Sequence, residues 1–250
     1  MEDSAALVRF YDEAYSQGPV EAALYARWRA LGAVGKADHV IALCSGAGLR
    51  PSSTLEVGCG DGALLSELHR RRFGGSLAGV EITDAAVGIA RERGEIGSVE
   101  RYDGAHLPHG DGSFDLGILS HVLEHVPDPP ALLGEVARAC RAVVLEVPLE
   151  ANRSARRAGK RVHAEEVGHL QRLDRAGARQ IVAEAGLTVA AELEDPLPLV
   201  VHRFFAAGAR ARSTATAKWG LRVAMHRLAP AFARRSFTLH YACLCLPPDG

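Results

Sequence analysis

The chain has 250 residues, of which 48% are hydrophobic and 24% charged, and its formal net charge is −1. This composition is ordinary for a globular protein with one substantial core, and it excludes disordered and fibrous classes. No apolar run approaches the ~20 residues that a membrane span needs, and the acidic, amphipathic N-terminus does not resemble a signal peptide, so we expect a cytoplasmic protein.

The elements predicted along the chain alternate between helix and strand. Residues 1–50 show helical periodicity, which ends at Arg50-Pro51-Ser52. The predicted strands are Thr54–Val57, Leu77–Ile82, Val99–Tyr102, Phe114–Ser120, Ala142–Val147, Leu187–Glu194 and Phe237–Leu246. The predicted helices are Ala63–Arg70, one capped by Asp84, one opened by Pro129-Pro130, and one that Asp174 caps and Gly186 ends. We predict an α/β, Rossmann-like, doubly wound sheet of seven strands, mostly parallel, with an antiparallel last strand.

The cysteines do not indicate a disulfide framework. They are Cys44, Cys59, Cys140, Cys243 and Cys245. Their number is odd, none forms a C-x-x-C pair, and each lies in or beside an apolar segment. We expect them to be small buried side chains.

The segment before the last strand is strongly basic. Between Asp195 and Asp249 there is no acidic residue. The basic residues of this stretch are Arg203, Arg210, Arg212, Lys218, Arg222, Arg227, Arg234 and Arg235. The stretch is too long for a plain loop, so we predict a basic helical cap over residues 196–236, inserted before the last strand.

A glycine-rich turn follows the first strand. The sequence from Leu55 to Gly62 is Leu-Glu-Val-Gly-Cys-Gly-Asp-Gly and leads into a helix. Glycine permits unusual backbone angles and a close approach of ligand, and a helix N-terminus favours an anion or a polar group. The spacing of Gly58, Gly60 and Ala63 also satisfies the dinucleotide fingerprint, so a nicotinamide-dependent oxidoreductase stays open at this point.

Acidic residues end the next two strands. Glu81 ends the second strand about 20 residues on, where a carboxylate can accept hydrogen bonds from ribose hydroxyls. Asp103 follows the third strand, and the segment from Phe114 to His125 brings the fourth strand to the same crevice. The glycine turn, Glu81, Asp103 and this segment together resemble the class I S-adenosylmethionine-dependent methyltransferases. The similarity covers roughly residues 50–195 and is greatest to the small-molecule group related to the ubiquinone methyltransferases.

The resemblance implies a cofactor, a reaction and a set of binding residues. The cofactor would be S-adenosylmethionine, with S-adenosylhomocysteine as product, and the methyl group would pass to an O, N or C atom of a small molecule. The glycine turn would hold the methionine part, Glu81 the ribose, Asp103 the adenine amine and Glu56 the amino end. The cofactor-binding residues implied are Glu56, Gly58, Cys59, Gly60, Gly62, Glu81, Ile82, Asp103, Gly104, Ala105, Ser120 and His121.

His121 is the candidate catalytic base. It lies just past the fourth strand, at the edge where such sheets bind ligands, and histidine titrates near neutral pH. Alternatively, His121 packs over the adenosine or caps the next helix. The His121-x-x-x-His125 pair has no clear third ligand in the sequence and is not H-E-x-x-H, so we predict no metal.

The resemblance also assigns the flanking segments. Residues 1–50 would form an N-terminal helical lid, and residues 51–250 the methyltransferase domain. The candidate substrate residues are Tyr11, Tyr15, His125, His163 and His169.

Partners are only partly indicated. Ser120-His121 replaces the Asn/Asp-Pro-Pro-aromatic signature of methyltransferases that act on nucleic-acid bases, which argues against a nucleic-acid substrate. The basic segment 196–236 is either a solvated helix face or a site for an anionic or lipid-like acceptor or a membrane surface. A non-catalytic S-adenosylmethionine-binding protein is the remaining alternative, and no pattern indicates an oligomeric state.

Overall fold

The computed structural model describes residues 8–9, 11–13, 15–16, 18–159, 162 and 168–248. The strands are β1 Ser53–Val57, β2 Ser76–Glu81, β3 Ser98–Arg101, β4 Phe114–Ser120, β5 Cys140–Pro148, β6 Thr188–Asp195 and β7 His240–Leu246. The helices named below are α1 Pro19–Gly46, α2 Ala63–Arg70, α3 Asp84–Arg91, α4 Pro129–Ala139, α5 Arg175–Glu184, α6 Leu199–Arg203, α7 Gly208–Leu228 and α8 Pro230–Ser236. A short 3-10 turn covers Leu123–His125.

The strands form one sheet in the order β3-β2-β1-β4-β5-β7-β6. Strands β1 to β5 pair in parallel, whereas β7 is antiparallel to both of its neighbours, β5 and β6. The predicted fold class is therefore confirmed, including the antiparallel last strand. The strand order reverses direction between β1 and β4, which makes the carboxyl ends of these two strands the switch point of the sheet.

Helices cover both faces of the sheet, and each face has its own apolar core. Helices α1, α2 and α3 pack on one face around Ala37, Leu65 and Ile118. Helices α4 and α5 pack on the other around Leu133, Val143 and the neighbouring apolar side chains. A doubly wound sheet buries both faces of its central strands, which explains why most positions of β1, β4 and β5 are buried rather than alternately exposed.

Helix caps follow the sequence with one correction. Asp174 accepts a hydrogen bond from the Gly177 amide and caps α5 as predicted. Helix α3 is capped by Thr83, whose hydroxyl accepts from the Ala86 amide, and not by Asp84. Asp84 is the first helical residue instead, where its negative charge still favours the helix N-terminus.

The five cysteines are all buried, and all are free thiols, which confirms the expectation for them. Among the helices of the described residues, none is long and apolar enough to cross a membrane.

The basic segment is mostly helical and lies between β6 and β7. Helices α6, α7 and α8 occupy it. The indole N–H of Trp219 donates to the carbonyl of Leu197 at 3.1 Å, which fixes α7 against the chain that leaves β6. Helix α7 has no fully buried residue, so it lies on the surface of the domain.

Candidate active site

One cavity of about 1160 Å³ opens at the carboxyl edge of the parallel strands. Residues that follow β1, β2, β3, β4 and β5 form one part of its wall, and α1, the start of α6, α7 and β7 contribute the rest. Every described residue predicted to bind cofactor or substrate lines this cavity except Gly62, which caps α2 in a left-handed conformation. His163 lies outside the described residues. The sheet thus brings the predicted residues to one place, while their binding roles stay predictions.

The turn after β1 favours glycine at Gly58 and Gly60. Gly58 and Gly60 have φ angles of +72° and +54°. A Cβ on Gly58 would come within 2.6 Å of the Val122 side chain, and one on Gly60 would come within 2.4 Å of the Tyr15 hydroxyl. The turn therefore presents bare backbone to the cavity, which a ligand can approach closely.

Glu81 supports the glycine turn from the end of β2. One carboxylate oxygen accepts from the Gly60 amide at 2.9 Å, and the other accepts from the Ile82 amide at 2.6 Å. Burial raises the pKa of Glu81, although these backbone hydrogen bonds oppose the rise. The carboxylate also lines the cavity, and its oxygens keep free lone pairs for hydroxyl donors.

Glu56 is a buried acid with one unpartnered carboxylate oxygen. Its Oε2 atom has no hydrogen-bond partner among the described residues. Burial raises the pKa of Glu56 to about 8, against an opposing effect from Lys36. A buried carboxylate is costly without a counter-charge, so this position is suited to a ligand ammonium group.

Asp103 is exposed, and its own loop holds it. One oxygen accepts from the amides of Ala105 and His106 at 2.8 and 2.6 Å, and the other lies 2.9 Å from Nδ1 of His106. The backbone amide and ring of His106 lower the pKa of Asp103 to about 2. Asp103 is therefore ionised at neutral pH, and Gly104 and Ala105 form the loop beside it.

The residues after β4 are held in an unusual conformation. The Ser120 hydroxyl is buried with no partner among the described residues. His121 has a φ angle of +60°, and its amide donates to the Glu146 carbonyl at 2.9 Å. A left-handed conformation costs a non-glycine residue ~1 kcal/mol or more, and such costs concentrate at functional sites.

Three histidines surround Glu146, which lies in the buried run Ala142–Val147 of strand β5. Oε1 of Glu146 lies 3.3 Å from Nε2 of His121 and 3.2 Å from Nδ1 of His240. Oε2 lies 3.2 Å from Nδ1 of His39, on α1. On its other side, Nδ1 of His121 lies 3.3 Å from a carboxylate oxygen of Glu124. His121 is thus placed between two carboxylates.

These contacts lower the pKa of the Glu146 carboxyl group and raise the pKa of two of the histidines. Burial alone would raise the pKa of Glu146, but the three histidines hold it well below its usual range. Burial alone would lower the pKa of His39, but hydrogen bonds to Asp195 and Glu146 raise it to about 10. Burial and Lys36 act to lower the pKa of His121, and Glu124 and Glu146 outweigh them and raise it.

Sequence reasoning missed His39, Glu146 and His240. They lie in α1, β5 and β7, and their contacts are 94 to 107 residues apart along the chain. In the sequence, Glu146 was the one residue of the three that indicated a buried polar cluster. A carboxylate in the buried run Ala142–Val147 must have polar or charged partners, but the sequence does not say which.

A second cluster involves three of the predicted substrate residues. The rings of His125 and His169 lie 4.7 Å apart, and the Tyr11 ring meets His125 edge-on at 5.6 Å. Nδ1 of His169 lies 2.7 Å from a Glu150 oxygen. Nδ1 of His125 lies 3.1 Å from the Gly168 carbonyl, and burial lowers the pKa of His125.

His121 and His125, which the sequence did not predict to form a metal pair, fall into two different groups of possible ligand atoms. His121 groups with Glu146 and His240, while His125 groups with Glu124 and His169. In each group the donor atoms lie within 4.8 Å of one another, a spacing compatible with a metal ion. Around Glu146 the same distances are those of hydrogen-bonded ion pairs, which account for the arrangement without a metal.

The far wall of the cavity belongs to the basic segment. Leu197, Pro198, Val201, His202 and Arg222 line it. The glycine turn and the acids after β1, β2 and β3 therefore occupy one end of the cavity, which we name the acid end. The clusters around Glu146 and His125, together with this wall, form the histidine end.

A doubly wound sheet with this strand order, a glycine turn after β1 and acids after β2 and β3 defines the class I S-adenosylmethionine-dependent methyltransferases. A model of the family described as a methyltransferase domain matches residues 25–192, more than half of the chain, and the chain belongs to this family. The resemblance noted in the sequence is thereby confirmed, and S-adenosylmethionine as the cofactor is supported at the level of the family. Membership also decides against the nicotinamide oxidoreductase.

Relatives and solved structures agree with this assignment. The chain is 29% identical over 103 residues to the ubiquinone biosynthesis O-methyltransferase of Acinetobacter baylyi, which covers 39% of this chain and 41% of that protein. The chain thus matches less than half the length of this curated relative. The fold is similar to that of magnesium protoporphyrin IX methyltransferase from Synechocystis with bound S-adenosylhomocysteine, with a TM-score of 0.58, 16% identity, and coverage of 98% and 99%. It is also similar to that of phosphoethanolamine N-methyltransferase 2 from Haemonchus contortus in complex with phosphomonomethylethanolamine and S-adenosylhomocysteine, with a TM-score of 0.65, 12% identity, and coverage of 97% and 61%.

Proposed function

We propose that the protein transfers a methyl group from S-adenosylmethionine to an O, N or C atom of a small-molecule acceptor. The observation that carries this proposal is that a single cavity joins the acid end to the histidine end. One end offers groups that suit a nucleoside and an ammonium, and the other offers a group that can accept a proton.

The acid end fits the cofactor. The unpartnered Oε2 of Glu56 suits the methionine ammonium, and the bare turn at Gly58 and Gly60 admits the methionine chain. Glu81 would accept from the ribose hydroxyls, and Asp103 from the adenine amine. When bound, S-adenosylmethionine would supply an electrophilic methyl group on its sulfonium.

His121 would remove a proton from an acceptor that holds one tightly. Its imidazole lies 3.3 Å from carboxylate oxygens on both sides, belonging to Glu124 and Glu146. Both carboxylates stabilise the imidazolium that forms, which makes the ring a stronger base. Because the cluster fixes the ring, it would also help to align the acceptor with the methyl group.

The N-terminal segment is proposed to act as a lid. The Tyr15 hydroxyl lies against the glycine turn, and the guanidinium of Arg29 lies over the Tyr15 ring at 4.8 Å. Burial raises the pKa of Tyr11 and of Tyr15, so both keep their protons at neutral pH. Both hydroxyls can therefore donate hydrogen bonds, and the segment would help to exclude water from the reacting atoms.

The acceptor would be either a soluble molecule or one borne by a membrane surface. The basic segment exposes several large apolar side chains beside its arginines. They are Val200, Phe205, Leu221, Leu228 and Phe232. Apolar and basic groups on one surface are typical of proteins that contact anionic lipid, which keeps the lipid-borne acceptor as the second candidate.

The proposal is tested with methyl-labelled S-adenosylmethionine and an extract of the source organism. After incubation, the extract is divided into soluble-metabolite, lipid, protein and nucleic-acid fractions, and each is counted. Label in the metabolite fraction supports a soluble acceptor, and label in the lipid fraction supports a membrane-borne one.

Two results would contradict the proposal. Label only in protein or nucleic acid would assign a different substrate class. No label in any fraction, with S-adenosylhomocysteine binding confirmed by calorimetry, would favour the non-catalytic binding protein.

A further inference from the structure

An arginine on the far wall of the cavity has no part in the chemistry described so far. Arg222 lies on α7, is half-buried, and lines the main cavity. It also lines a second cavity of about 670 Å³, together with His202, Arg210 and Lys218. Arg222 therefore stands where the two cavities adjoin.

Among the described residues, no acidic side chain neutralises Arg222. None of the described acidic side chains lies within 4 Å of its guanidinium. For the described residues of segment 196–236, the ion pair with a carboxylate is the one between Arg234 and Glu194. The neighbours of Arg222 are Nε2 of His202 at 3.5 Å and the Phe237 ring, whose centroid lies 5.5 Å away. Burial and the nearby Arg157 lower the pKa of Arg222.

Without a bound anion, this environment of Arg222 reduces the stability of the folded protein. A guanidinium withdrawn from water and set beside other positive groups loses hydration and gains no ion pair. The cost is offset if a ligand brings the missing anion. Arginine also offers a planar fork of donors that matches a carboxylate or a phosphate, so the residue type fits that task.

Arg222 lies on a wall of the cavity that continues to the histidine end. The Phe237 ring under Arg222 is followed by Thr238 and His240, which line the same cavity. The rings of His240 and His121 lie 4.6 Å apart. A molecule with an anionic group on Arg222 would thus extend along this wall toward His121.

We infer that the methyl acceptor carries an anionic group, a carboxylate or a phosphate, which binds Arg222 at the histidine end of the cavity. This inference rests on the proposed function and specifies its substrate class. The anionic group would come either from a soluble metabolite or from a lipid headgroup.

The test measures binding of inorganic phosphate and of acetate to the protein saturated with S-adenosylhomocysteine, by calorimetry at constant ionic strength. In Arg222→Gln the affinity for phosphate should fall about tenfold or more, because charge-assisted hydrogen bonds are lost. Arg222→Lys should recover part of the affinity, since it keeps the charge but not the fork. Arg227→Gln is the matched control, because Arg227 is exposed on the same helix and lines neither cavity.

A parallel arm uses vesicles of phosphatidylglycerol in phosphatidylcholine, with binding followed by co-sedimentation. Phosphate or acetate binding that depends on Arg222 supports a soluble anion, and vesicle binding that depends on Arg222 but not on Arg227 supports a headgroup. If neither probe depends on Arg222 while S-adenosylhomocysteine still binds, the inference fails and the proposed function stands. If S-adenosylhomocysteine itself does not bind, the proposed function fails.

Discussion

The two ends of the cavity are assembled in different ways. At the acid end, the glycine turn, Glu81 and Asp103 each lie at or just after the end of a strand, and these strands succeed one another within about 50 residues. At the histidine end, the cluster around Glu146 draws His39 from α1 and His240 from β7, about 100 residues away on either side.

This difference determines how substitutions at each end of the cavity affect the protein. Each group at the acid end is positioned by its own strand end, and the one contact described between them is the hydrogen bond from the Gly60 amide to Glu81. At the histidine end one buried carboxylate is shared by three imidazoles, so a change at Glu146 affects all three rings. We therefore expect changes at the acid end to alter affinity, and changes at the histidine end to alter turnover, pH dependence and stability together.

The largest effect is expected for His121→Gln. If His121 removes the acceptor's proton, kcat should fall by about 10²- to 10⁴-fold, the usual contribution of a positioned base. The Kd for S-adenosylhomocysteine should change much less than kcat, because the predicted cofactor residues other than His121 are intact. Steady-state kinetics and calorimetry measure the two quantities, and His69→Gln, an exposed position on α2, is the control. A change in kcat below about threefold would leave His121 as a packing residue only.

Glu146→Gln should have the next largest effect, on stability. The substitution removes the negative charge that three histidines share, and breaking a buried ion pair costs about 3 kcal/mol or more. Urea denaturation at pH 7 measures this loss, with exposed Glu100→Gln as the control. Equal stability of both variants would show that the cluster is not ionised.

His39 gives the same cluster a signature at alkaline pH. Its pKa is raised to about 10 from 6.5, so its stabilising contribution is complete below pH 6.5 and is lost as the pH rises through about 10. In wild-type protein, part of the free energy of unfolding should therefore disappear over this interval. The Glu146→Gln variant should show a smaller loss across the same interval, and an identical loss in both proteins would argue against the pairing.

Asp103→Asn should have a moderate effect, on affinity alone. The exposed carboxylate would give up a charge-assisted hydrogen bond to the adenine amine, so the Kd for S-adenosylhomocysteine should rise about tenfold. Asp111→Asn is the control, since Asp111 is also exposed and lies outside the cavity. An unchanged Kd would mean that Asp103 serves only to hold its own loop.

The smallest expected change is a shift of the pH profile. His121 acts as a base when it is neutral, and its pKa lies above 6.5, so kcat/KM should rise with pH through a midpoint above 6.5. The ionisable groups that face His121 are Lys36, Glu124, His125, Glu146 and His240. In Glu146→Gln the imidazolium is less stabilised, so the midpoint should move to lower pH. A midpoint that does not move would show that the titration of His121 does not cause the pH dependence of kcat/KM.

The sequence was sufficient for most of the fold. Helix α2 and strand β4 have the predicted ends, because apolar periodicity and the flanking turns mark them. The cap of α3 was placed one residue late, since Thr83 and Asp84 are both good capping residues and only the backbone geometry distinguishes them. Local patterns of this kind also located the acid end.

The histidine end could not be read in the same way. Contacts between α1, β5 and β7 depend on the packing of the whole sheet, and no short sequence motif predicts them. The His121-x-x-x-His125 spacing did not indicate that His121 lies beside Glu146 and His240 whereas His125 lies beside His169. Arg222 was one of eight basic residues until the fold placed it on the cavity wall.

The central claim is that the acid end binds the nucleoside of S-adenosylmethionine through Glu81, and calorimetry of S-adenosylhomocysteine binding tests it most directly. Wild-type protein should bind, Glu81→Ala should bind about 100-fold more weakly through the loss of charge-assisted hydrogen bonds, and Glu100→Ala should match wild type. Circular dichroism would confirm that Glu81→Ala keeps the fold, since Glu81 also supports the Gly60 turn. Equal affinity in wild type and a folded Glu81→Ala, or no binding by wild type, would contradict the account.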